Sequence, residues 1–187
     1  MMSSAREIEA LVGWRFQRRA LGVGARREST LYLGATMPTD AVRAGLPSRA
    51  SLEAAAATGY ASRAHYVWIG GGVQHFLASD GNQFGESRLL TAVYGYRPPM
   101  LRMEAGKPDL RFFVEATAED RRPMRIGGSD AGHGGRTVFV GPTALFLHKA
   151  FGVEGGVLFP AYQRVDDGAA RDRLRVAVNV TYFFWLH

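Results

Sequence analysis

The side chains able to do chemistry in this chain are charged groups spaced along alternating runs: Glu7, Glu9 and Arg15 near the start, Arg111 and Glu115 in the middle, Glu154, Arg175 and Asn179 toward the end. Each sits among residues that alternate apolar and polar. Enclosed together, such carboxylates, guanidiniums and the Asn179 amide would pair across neighbouring strands, narrow an interior and select the solutes that pass. Other constellations carry less. Arg121, Arg122, Arg125 and Arg136 flank the glycine run 127–135, and arginines suit phosphate oxygens, but the run lacks the Gly-Lys-Ser/Thr of a P-loop and a following helix. Asp80-Gly81-Asn82-Gln83-Phe84 begins like a calcium loop, yet Phe84 replaces an oxygen ligand and Thr91 stands where the closing Glu belongs. His65, His75, His133, His148 and His187 form no H-x-x-x-H spacing, and there is no cysteine. No metal, cofactor or catalytic residue is expected, and the chain does not read as an enzyme.

The elements that must carry these groups show a period of two. In 173–185, Leu174, Val176, Val178, Val180, Tyr182 and Phe184 fall on one side and Arg175, Ala177, Asn179 and Thr181 on the other. At the start Ile8, Ala10, Val12, Trp14 and Phe16 oppose Glu7, Glu9, Gly13, Arg15 and Gln17. Leu110, Phe112, Val114 and Ala116 oppose Arg111, Phe113, Glu115 and Thr117; Phe151, Val153, Gly155, Val157 and Phe159 oppose Gly152, Glu154, Gly156 and Leu158. In 65–76 the parity is ambiguous, because Val67, Ile69 and Val73 compete with Tyr66, Trp68 and Phe76.

Nine strands are expected, at 8–17, 30–37, 52–60, 65–76, 88–96, 109–118, 137–147, 150–162 and 173–185. Several are longer than the usual five or six residues and reach the roughly 9 to 11 needed to cross a bilayer obliquely. Aromatics gather near strand ends. Connections alternate between tight turns, as at 61–64 and 147–150, and longer polar stretches at 38–51, 119–136 and 165–172, with 22–27 and 97–109 longer than ideal. No apolar run suits a spanning helix and no export signal opens the sequence, whereas alternating strands with short turns at one end fit a membrane barrel. The charge of +6 admits nucleic acid, but the arginines are dispersed rather than gathered in a stripe, so none is expected as a partner.

The final run, Val178-x-Val180-x-Tyr182-x-Phe184, resembles the C-terminal β-signal read by the barrel-assembly machinery of bacterial outer membranes, although Trp185, Leu186 and His187 follow it. Taken with 33–40, Val140-Gly141-Pro142 and 155–162, the chain resembles the outer-membrane family described as the meta-pathway of phenol degradation, or a related transporter family. The resemblance implies an antiparallel up-and-down transmembrane β-barrel that passes small solutes, hydrophobic or aromatic ones among them, with outer-membrane lipid and lipopolysaccharide around it. A single outer-membrane domain over 1–187 is expected. With the last strand ending at the periplasm, nine strands would start it outside, so the chain is expected to be the C-terminal part of a longer barrel, or to have been read from an internal start codon. The alternative is a soluble lipocalin-like barrel that turns the same apolar sides inward around an apolar ligand.

Overall fold

Alternating β-branched, aromatic and polar residues favour a pleated surface over a helix, and almost the whole described chain is extended. The structure is a computed structural model and describes residues 7–39, 47–101, 108–132, 134–166 and 171–182. In chain order the strands are β1 (Glu7–Gly22), β2 (Ala25–Pro38), β3 (Ser51–Ala61), β4 (His65–Phe76), β5 (Ser87–Tyr96), β6 (Asp109–Arg121), β7 (Arg125–Ile126), β8 (Ser129–Asp130), β9 (Gly135–His148), β10 (Phe151–Val165) and β11 (Arg175–Tyr182). One antiparallel sheet of nine strands runs β1-β2-β3-β4-β5-β6-β9-β10-β11, and β7 with β8 forms a small hairpin in the connection between β6 and β9.

The nine expected strands are all present, each at or beyond its expected length except the last, whose residues past Tyr182 lie outside the described ones. Only Val23 and Gly24 separate β1 from β2, so that connection is a tight turn, and Gly24 takes a φ of 76° that a side chain would resist. The connection from β5 to β6 is long, and its described residues include a 3-10 turn, Pro99–Leu101. All other connections at that end are short, and the four long ones lie at the opposite end.

A closed barrel was the expectation, and here the structure differs: the sheet is open, with β1 and β11 as its edges. In an antiparallel sheet of nine strands the first and last point the same way, so these two edges could meet only as a parallel pair. No such pair forms among the described residues.

The ladder also corrects one side-chain assignment. Between Arg15 and Gln17 the register slips, leaving Phe16 as an extra residue and moving Gln17 onto the face of its partner Ser29. Gln17 therefore leaves the polar side of the sheet, where alternation alone would put it. Its Oε1 accepts a hydrogen bond from Ser29 Oγ at 3.0 Å, and Ser29 Oγ lies 2.9 Å from Thr58 Oγ1.

The sheet encloses no apolar core. Phe139 is the single buried large hydrophobic residue among those described, while Val178 is 71% and Val12 70% exposed. The accessible surface is 13181 Å², against about 9,000 Å² for a compact soluble chain of this mass.

Candidate functional site

Residues directly opposite across the ladder share a face, so the pairing sorts the side chains without further assumption. The exposed face takes Val176, Val178, Val180 and Tyr182 from β11, Phe151 and Val153 from β10, Phe112 and Val114 from β6, and Val12 and Trp14 from β1. In β4 it takes Val67, Ile69 and Val73, which resolves that strand's ambiguous parity. The other face takes Glu9, Arg15, Arg111, Glu115, Glu154, Arg175 and Asn179 from among the groups expected to line an interior.

That second face is concave. Arg175 in β11 forms two hydrogen bonds to the Glu119 carboxylate in β6, one of them Nη2 to Oε2 at 3.2 Å. Three strand steps separate them, about 14 Å on a flat sheet before any offset along the strands, so the sheet curls to let them meet. The guanidinium carbon lies 3.7 Å over the ring of Phe139, which sits beneath it in β9. Glycines make room for this curl: an added Cβ on Gly59 would come within 2.2 Å of Trp68, and one on Gly95 within 2.4 Å of Phe113. Tyr66 reaches Phe113 over Gly95, with ring centroids 6.1 Å apart.

Polar groups on the concave face are largely matched. Asp109 is almost wholly buried; its Oδ1 accepts from Arg97 Nε at 2.7 Å and its Oδ2 from Arg111 Nη2 at 2.8 Å. Arg111 also stands 5.2 Å from the Tyr66 ring centroid. Glu115 accepts a hydrogen bond from Thr143 at 2.7 Å, and Glu53 accepts one from Gln74 at 2.8 Å. Glu154 lies opposite Asn179, not beside Arg175, which stands opposite Leu158. An ion pair between Glu154 and Arg175 on consecutive strands is therefore not formed: four residues, about 13 Å, separate their levels. Arg15 is exposed near the β1 edge. Reasoning from sequence ended β6 at residue 118 and so missed Glu119, although Asp109, Arg111, Glu115 and Glu119 all keep the same parity.

The apolar face is organised as a sloping band. Traced edge to edge, one level of outer residues reads Val12, Leu33, Ala54, Val73, Arg88, Asp120, Arg136, Arg164. A level nearer the short turns reads Arg19, Arg27, Tyr60, Val67, Tyr94, Val114, Pro142. The band's centre shifts by about nine residues over the eight steps from β1 to β11, which at about 3.3 Å per residue and 4.8 Å per step is a slope of about 40°. Aromatics follow its lower boundary: Trp14, Tyr60, Tyr94, Tyr96, Phe112, Phe146, Phe151 and Tyr182.

Of the assembly-signal residues, Val178, Val180 and Tyr182 lie on this exposed face, and Phe184 lies outside the described residues. Among the described residues no helix is long and apolar enough to cross a membrane, and no cluster of His, Asp and Glu has metal-binding geometry. No family model, no curated protein and no solved structure matches the chain.

Proposed function

We propose that this sheet is wall of an outer-membrane β-barrel that acts as a passive channel for small solutes, hydrophobic or aromatic ones among them. One observation carries the reading: the apolar side chains point outward and are exposed, while the carboxylates and guanidiniums line the concave side. Water penalises an exposed apolar sheet and rewards the reverse arrangement; hydrocarbon outside and an aqueous interior favour the one seen. The slope of about 40° adds support, because strands tilted by about 35 to 45° in a flat slab need an apolar band that crosses them at that angle. The boundary aromatics fit an interfacial girdle. The soluble lipocalin-like alternative needs the apolar sides turned inward, and Val176, Val178 and Val180 are not.

On this reading the interior is lined by Arg15, Arg111, Glu115, Glu154, Arg175 and Asn179, with Glu119 and Phe139 added. The Arg175–Glu119 bridge spans the concave side and limits the bore beneath it. Its partners are the solute, outer-membrane lipid with lipopolysaccharide, and the assembly machinery at the last strand. The test is fractionation followed by reconstitution. The full chain should float with the outer-membrane fraction and give conductance or solute uptake in a planar bilayer, raised by R175A. Recovery as a water-soluble monomer, or folded insertion with no conductance or uptake, overturns it.

A further inference from the structure

We infer that the outer face carries a site for an anionic phospholipid, with the phosphate held at the cross-strand pair Arg136–Arg164 and an acyl chain in the groove below it. The inference rests on the membrane reading above and goes beyond it by assigning a lipid class to named residues. Arg136 and Arg164 stand directly opposite each other in β9 and β10. Like charges so placed repel, which costs stability unless an anion lies between them. One carboxylate is at hand: Asp120 Oδ1 accepts from Arg136 Nε at 3.2 Å, and that uses a single donor of a guanidinium whose side chain is 71% exposed. Arg164 is exposed and has no ion-pair partner among the described residues. The free Nη groups suit bidentate contact with phosphate oxygens.

Below Arg136 lies a groove of about 250 Å³ with Leu90, Ala118, Val138 and Tyr162 along it and Arg88, Asp120 and Arg136 at its rim. Its lower end opens onto the apolar band, and its rim is the level at which that band turns from apolar to charged. An apolar tail with a phosphate at one end matches this pattern; β5, β6 and β9 beneath it are paired on both sides, while β10 beyond Leu158 pairs with β9 alone. A second doublet, Arg19 opposite Arg27, lies on the same outer face beyond the other boundary of the band, beside Tyr60. Two outward arginine doublets, one past each border of the apolar band, are what phosphates of two leaflets would meet.

The test uses the full chain floated with vesicles of phosphatidylcholine alone and with equal phosphatidylglycerol added, then native mass spectrometry of the lipid retained after detergent extraction. The chain should float with both and retain phosphatidylglycerol selectively, and R136Q/R164Q should cut that selectivity about 25-fold, since each basic residue near an anionic surface is worth about fivefold. R125Q/R171Q, which removes the same charge from exposed positions in the long connections after β6 and β10, should keep it. Flotation without selectivity, or equal loss in both double variants, overturns the lipid site and leaves the membrane reading standing. Failure to float with either vesicle, by a chain shown to be folded, overturns both.

Discussion

Val178 shows how much a single position can decide. It is 71% exposed at the middle of the apolar run of β11, and Asn179 next to it faces the concave side. Facing hydrocarbon, V178R should cost about 2 to 4 kcal/mol at mid-depth, while N179R, facing water, should stay within about 0.5 kcal/mol. Urea titration of both variants in liposomes measures the difference. Equal and small effects would mean that the exposed valines meet water. Residue-level reading of the sequence put Arg15, Arg111, Glu115, Glu154 and Arg175 on the polar side of their strands, and the register brings these five to one face. It failed at Gln17, because a bulge reverses parity downstream and carries no mark in composition. It also missed Asp109, whose burial depends on Arg97 reaching it from the end of β5.

At the scale of elements, the strands are held by ladders and the long connections by one another. Arg122 N–H donates to Glu86 O at 2.9 Å, and Gln83 and Arg125 exchange backbone hydrogen bonds at 2.9 and 2.8 Å, tying the β4–β5 connection to the one after β6. The Glu86 carboxylate reinforces this tie: hydrogen bonding to Arg88, with Arg122 and His75 also near, holds its pKa below the ordinary 4.5. A depressed folded-state pKa stabilises above the unfolded value and loses that effect as pH falls through the folded one. Hydrogen exchange at the Arg122 and Arg125 amides should therefore accelerate as pH drops below 4.5, beyond the intrinsic rate change. E86Q should exchange fast throughout and lose that pH dependence. A wild type and variant with identical profiles would remove Glu86 from the account. Turn chemistry let the sequence separate tight from long connections, but the packing of one loop on another depends on which strands are neighbours.

For the whole molecule, the sloping band sets a measurable angle. Polarised infrared spectra of the chain in oriented bilayers should give a strand tilt of about 40° from the membrane normal. Strands lying in the bilayer plane, or an isotropic signal from inserted protein, would contradict the slope read from the pairing. An open sheet with free β1 and β11 edges and a broad apolar outer face should also associate in detergent-free water, where nothing covers either.

Alternation in the sequence determined the nine long strands and, outside β4 and the stretches beyond the bulges in β1 and β10, which residues of a strand share a face, because backbone pleating sends successive side chains to opposite sides. It could not decide which of the two faces turns outward, since an alternating pattern reads the same when the sheet is curved either way. That choice, and with it the meeting of Arg175 and Glu119, belongs to the tertiary structure. Sheet curvature is collective, set by small residues such as Gly59 and Gly95 yielding space to Trp68 and Phe113 from neighbouring strands. Those neighbours are known only once the register is.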